Sequence, residues 1–223
     1  MNTSAVLRAA AGGGEGDVPG APLSAARRRG QPQAIYGVGL WVFMGVATTL
    51  FALFIAAYIM RMANADAAAI AMPPQLWVST ALLVLGSVLL EGARRAALPG
   101  MPAERARRLM QAGGACALAF LVVQWWAWQA LLSQQVSAVG NPAGSFFYLL
   151  TAVHGAHVTG GLVGWMLAAR AVQPGAQAQA AAWRIALCAR YWHFLLFLWL
   201  VLYASFSWIT PEVARIICGT GGT

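Results

Sequence analysis

The chain has 223 residues, 60% of them hydrophobic and only 9% charged, with a mean hydropathy of +0.66. A soluble globular domain carries roughly 45–50% apolar residues, so this composition excludes an ordinary water-soluble fold and makes lipid the solvent. The net charge of +8 does not point to nucleic acid, because all 14 basic residues are Arg and twelve of them fall on one set of loops without aromatic stacking positions between them.

Residues 1–33 are rich in Ala, Gly, Pro and Arg and lack the continuous apolar core of a secretory signal peptide. They read as a disordered basic tail. Beyond Pro32, five windows satisfy the need of a spanning helix for about 20 apolar residues. They are residues 35–60, 75–92, 110–132, 145–169 and 185–209. Helix-breaking residues fall between them: Pro73 and Pro74 before the second, Asn141 and Pro142 before the fourth, Pro174 and Gly175 after it, Pro211 after the fifth. The expected fold is all-α, a polytopic five-helix membrane bundle over 34–210 followed by a short external tail, 211–223.

Twelve Arg residues flank one side of these windows, in the tail, after the second helix and around the fourth loop, whereas Arg61 and Arg215 flank the other. Positive residues are retained inside, so the N-terminus is expected in the cytoplasm and the C-terminus outside. Cys116, Cys188 and Cys218 form no CxxC pair. The first two lie in apolar segments, where a lone Cys behaves as a small hydrophobe.

The fourth window contains His154 and His157, three residues apart and so on one helical face. With His193 from the fifth helix they could ligate zinc, copper or haem. The competing reading is that they hydrogen-bond between helices and orient the bundle. The second is preferred, because three His are the whole supply and no carboxylate or thiolate lies near them in sequence. Gly160, Gly161 and Gly164 follow with a Gly-xxx-Gly spacing that permits close helix approach, which makes the fourth helix the expected site of tightest packing. Gln124, an uncharged polar group within the third helix, is expected to find an interhelical partner.

The six acidic residues are Glu15, Asp17, Asp66, Glu91, Glu104 and Glu212, none near a predicted membrane midplane. Glu91 has Arg94 and Arg95 three and four positions on, which predicts a same-helix ion pair. Arg190, at the start of the fifth helix, reads as a snorkelling anchor with lipid headgroup contact as a further role.

Two segments carry a resemblance. The run Phe146–Gly161 is similar to Phe-Phe-x-Leu-Thr-x-x-His-Gly-x-His-Val-x-x-Gly, and Tyr191-Trp192-His193-Phe194 is followed by Trp199. Weaker matches, in the same order, are Leu40-Trp41-Val42-Phe43 leading to Ala57-Tyr58, Trp77–Leu83, and Gln124-Trp125. From about Gly39 to Trp208 the chain resembles subunit III of the haem-copper terminal oxidases (cytochrome c oxidase), in its short five-helix bacterial form.

The resemblance implies an accessory subunit of a respiratory complex in the bacterial cytoplasmic membrane that reduces oxygen and pumps protons. Haem and copper would reside in subunits I and II. This chain would hold no cofactor and no catalytic or metal-binding residue, contact subunit I chiefly, subunit II and membrane lipids, and bind no nucleic acid. His154, Gly155, His157, Gly160, Gly161, Tyr191, Trp192, His193, Phe194, Trp199, Gln124, Trp41 and Tyr58 would be its family-motif structural residues. Three acids common in the family are replaced, by Ala47, Ala127 and Leu196, so roles linked to those acids in proton uptake and subunit contact do not carry over. The alternative within the resemblance is the accessory membrane subunit of a nitric oxide reductase system. A small transporter or channel would place ionisable groups or broken helices at mid-membrane, and none is visible.

Overall fold

The computed structural model describes residues 21–64, 72–98, 102–134, 142–170 and 178–219, with side chains placed from 34, 143 and 182 onward in the first, fourth and fifth stretches. The described residues form six helices and no strand: α1 (Ala21–Met62), α2 (Gln75–Ala96), α3 (Ala103–Ser133), α4 (Pro142–Arg170), α5 (Ala178–Trp208) and α6 (Pro211–Ile217). Five are long and apolar enough to cross a membrane, over Ala34–Met62, Gln75–Ala96, Ala103–Ser133, Ala143–Arg170 and Ala182–Trp208. Irregular backbone would leave N–H and C=O groups unpaired in hydrocarbon, and a helix satisfies them internally.

The bounds differ from the sequence expectation at both ends. Residues 1–20 of the expected tail lie outside the described residues, but the backbone is already helical from Ala21. The backbone of 21–33 thus extends α1, although it contains Pro22, Gly30 and Pro32, which disfavour a helix interior. At the other end the expected tail contains α6: Thr210 caps it, accepting from the Val213 backbone N–H at 3.4 Å, with Pro211 in the first turn. Gly219, at φ 70°, follows the end of this helix, the left-handed position that glycine tolerates without a Cβ clash.

The chain divides into two units, Met1–Val38 and Gly39–Thr223. In the first, Ile35, Tyr36 and Val38 are exposed. The second holds the core, in which Phe51, Leu83, Leu90, Phe120, Leu150, Leu195 and Trp199 are buried. Its outer surface is apolar as well, with Val42, Val46, Leu53, Val88, Val122 and Phe197 exposed. A polar core side and an apolar rim would invert a soluble bundle; here both sides are apolar, as expected when no water surrounds the helices and association rests on packing.

Close packing is found at α2, α3 and α4, but not where the Gly-xxx-Gly spacing predicts it. A Cβ added at Gly160 or Gly164 would meet nothing within 4 Å, so neither glycine packs closely on a neighbouring helix among the described residues. The spacing identifies a helical face without saying which way that face turns. Gly161, one position on, does face inward, where a Cβ would lie 3.0 Å from Tyr191 Cε1. The tighter approaches are on α3. A Cβ at Gly113 would meet Leu90 Cγ at 2.8 Å, and one at Gly114 would run into the indole of Trp165. That indole donates its N–H to the Met110 carbonyl at 2.7 Å, tying α4 to α3.

Gly114→Ala should therefore displace Trp165 and lower stability by about 1–3 kcal/mol, the usual cost of overpacking. Gly160→Ala should be neutral or stabilising by up to about 1 kcal/mol through helix propensity. Unfolding of the two variants in detergent, followed by circular dichroism, checks this; equal midpoints would refute the assignment of the tight face to α3.

Candidate functional site

The motif residues of α4 and α5 converge on a cluster of rings. His154 is fully buried, with its imidazole 5.8 Å from the Phe120 ring, 6.4 Å from Phe51 and 5.2 Å from Trp199, centroid to centroid. Phe120 and Trp199 meet edge to face at 5.1 Å and 86°, an arrangement the aromatic quadrupole favours. The Trp199 indole N–H donates to Thr80 Oγ1 at 2.9 Å, and the Thr80 hydroxyl donates in turn to the Leu76 carbonyl at 2.7 Å. Side chains from all five long helices thus meet at one point: Phe51, Thr80, Phe120, His154 and Trp199.

The three imidazoles go to three different surroundings. His154 has no hydrogen-bond partner at either ring nitrogen among the described residues, which corrects the expected interhelical bond to another side chain; its ring neighbours are Phe51, Phe120 and Trp199. His157 is half-buried, and its Nδ1 lies 2.8 Å from the Val153 carbonyl of its own helix rather than reaching another. Phe43 and Phe51 pack on it at 5.7 and 5.4 Å. Only His193 bridges helices: its Nδ1 pairs with the hydroxyl of Ser87, and its Nε2 lies 3.6 Å from Glu91 Oε2, both on α2.

Glu91 also holds Arg94 at 2.6 Å and Arg95 at 2.9 Å. The same-helix pairing is the one its spacing predicts, and His193 is an addition from a distant part of the chain. The result is a polar cluster of Ser87, Glu91, Arg94, Arg95 and His193 joining α2 to α5. Among the described residues, no three His, Cys, Asp or Glu side chains are grouped so as to hold a metal ion.

Tyr191 donates its hydroxyl proton to the His157 carbonyl at 3.1 Å, joining α5 to α4, while its ring covers Gly161. Phe194 is half-buried beside Tyr191, 6.3 Å away, and Trp192 is buried in the core. Tyr58 is buried, packed on Phe146 and Phe206 at 5.9 and 5.6 Å, with its hydroxyl donating to the Ile209 carbonyl at 3.5 Å. Gly155 makes ordinary contact with Leu121, 4.0 Å from the position a Cβ would take. Trp41 is exposed, and the Arg190 guanidinium lies 5.8 Å from its ring centre, a cation–π geometry. Gln124 is buried, but neither its amide oxygen nor its nitrogen has a partner among the described residues, contrary to the expected interhelical bond. A second third-to-fourth helix bond, besides that of Trp165 to Met110, is made one turn away, where Trp128 Nε1 donates to Thr151 Oγ1 at 3.1 Å.

Comparison with known proteins gives a partial likeness. No family model matches the chain. A probable cytochrome c oxidase subunit 3 of Mycobacterium bovis is 34% identical over 94 residues, covering 41% of this chain and 45% of that protein. Proteins of the same description from Mycobacterium leprae and Nocardia farcinica are 33% and 32% identical over 94 and 92 residues, covering 46% and 44% of their lengths. The matched region thus spans less than half the length of these relatives.

Trp199→Ala should cost about 3–5 kcal/mol, the range for removing a large buried aromatic. Trp199→Phe should cost about 1 kcal/mol from the lost bond to Thr80. His157→Asn, which loses the ring contacts with Phe43 and Phe51 but no interhelical bond through a ring nitrogen, should cost about 1 kcal/mol. Denaturant titrations of the three variants in one detergent give the order; a Trp199→Ala loss no larger than that of His157→Asn would refute the central role of the cluster.

Proposed function

We propose that this chain is an accessory subunit, of the subunit III type, of a respiratory haem-copper oxidase, and that it stabilises the assembled complex without holding a redox centre. The likeness to subunit 3 relatives over 94 residues carries this reading. The geometry supports it: the motif residues of α4 and α5 pack on each other, with the His154 and Trp199 rings 5.2 Å apart and tilted by 37°, and Tyr191 bound to the α4 backbone. Haem and copper then belong to subunits I and II. The complex reduces oxygen and pumps protons in the bacterial cytoplasmic membrane, and this chain lies across that membrane with its N-terminus inside.

The contact with subunit I has a candidate face. Ala152, Ala156, Gly160 and Gly164 follow one another at four-residue spacing along α4, and all four are exposed. Such a stripe admits a second helix at short range, where many small dispersion contacts accumulate. The exposed Arg190–Trp41 pair suits the membrane surface, where a guanidinium meets lipid phosphate and an indole sits at headgroup depth.

Purification of the tagged chain from its own membranes in mild detergent tests the proposal. A reduced-minus-oxidised spectrum should show haem, and mass spectrometry should find an oxidase catalytic subunit; recovery of the chain without either overturns the reading. Gly160→Leu should leave the isolated chain's unfolding midpoint in place while lowering copurified haem roughly tenfold, equivalent to about 1.4 kcal/mol of association. Undiminished haem in that variant would remove the stripe from the interface.

A further inference from the structure

Two polar side chains in the middle of the bundle are buried without partners, and the helix register sets them beside each other. Gln124 is 4% exposed and His154 fully buried, and neither side chain has a hydrogen-bond partner among the described residues. Gln124 lies one turn from Phe120 and one turn from Trp128, on the same face of α3. Phe120 packs on the His154 ring at 5.8 Å, and Trp128 donates to Thr151 at 3.1 Å. Gln124 therefore faces the single turn of α4 that runs from Thr151 to His154.

Nearby groups are already committed. The Thr151 hydroxyl accepts from Trp128 and donates to the Phe147 carbonyl at 2.6 Å. The Trp199 N–H is taken by Thr80. Phe51, Phe120 and Trp199 wall the imidazole with carbon. What remains is one amide, with two donors and an acceptor, and one imidazole, whose neutral form has one donor and one acceptor. The two are not bonded to each other. Buried polar groups in native structures find partners, and where protein supplies none an ordered water with two to four contacts does so. A metal ion would need further ligands, and among the described residues no three His, Cys, Asp or Glu side chains are grouped to supply them.

We propose that Gln124 and His154 form a binding site for one interior water molecule between α3 and α4. The imidazole and the amide each take one of its hydrogen bonds, and the bridge joins the two helices one turn from the Trp128–Thr151 bond. The site is independent of the oxidase reading, since it depends only on the bundle.

The full chain in lipid bilayers, with its three histidines labelled with 15N, provides the test by proton-detected solid-state NMR. His154→Phe identifies the His154 signals by their loss. The expected result in the parent is a cross-peak between water protons and a His154 ring nitrogen, persisting after the exterior water is frozen out. Gln124→Leu should abolish that cross-peak and shift the His154 resonance, whereas Leu132→Ala, at an exposed position on α3, should leave both unchanged. A direct coupling between the Gln124 amide and the imidazole, or no water cross-peak in the parent, overturns the proposal whether or not the variants fold. A cross-peak that survives Gln124→Leu overturns the pairing.

Discussion

The bundle depends on the ring cluster in which Trp199 joins three other helices at once. Its indole packs at a tilt on His154 of α4, meets Phe120 of α3 edge to face, and donates its N–H to Thr80 of α2. Phe51 brings α1 to the same point through His154. Lipid tails are as apolar as the helix surfaces, so little is gained by removing one apolar surface from another. Helices in such a medium are held by shape, by dispersion between well-fitted atoms, and by polar groups that find partners only in each other. Trp199 supplies all three, with a large flat area and one N–H that cannot be left unpaired.

The register of α5 against α2 follows from the same logic. His193 pairs with Ser87, Trp199 with Thr80, and Tyr203 with Trp77. Positions rise along α5 as they fall along α2, in step at each point. The helices are therefore antiparallel, and a shift of one residue would break the contacts together. The other partners of α5 lie on different faces: Tyr191 holds the α4 backbone, and Phe206 packs on Tyr58 of α1. A helix with buried residues around much of its circumference shows no strong amphipathic pattern, consistent with the near-continuous apolar character of 185–209.

How much of this was legible in the sequence depended on the range of the signal. Span count and approximate bounds are local properties, set by runs of apolar residues between Pro and Arg, and those were readable. The Glu91–Arg94–Arg95 pairing was readable for the same reason, since spacing along one helix fixes it. The destinations of the three histidines were not. His154 and His157 share a helical face only loosely, since three residues turn a helix by about 300°. The remaining 60° separates a ring-lined core position from a half-buried one. The glycines failed similarly, because their spacing marks a stripe but its direction depends on which neighbour α4 chooses. Gly113 and Gly114, where α3 meets Leu90 and Trp165, carried a signal in their adjacency within an apolar run that the Gly-xxx-Gly template does not recognise.

The positions where the resemblance leads one to expect acids bear on what the bundle can do. Ala47 and Ala127 are buried in the core, at 3% and 0% exposure. A carboxylate at either would need a partner or a proton, since an unpaired buried charge costs several kcal/mol even after relaxation. Alanine removes that demand and lets the core close around rings and short aliphatic groups. Glu91 is different: it is partly exposed at one end of α2, it sits among two Arg guanidinium groups, and it reaches His193 across the helix boundary. The ion pairs of the described bundle thereby lie toward helix ends, here and at the start of α3, where Glu104 holds Arg107 and Arg108. The polar groups buried between the helices include the Gln124 amide and the His154 imidazole, the latter held among the rings of Phe51, Phe120 and Trp199.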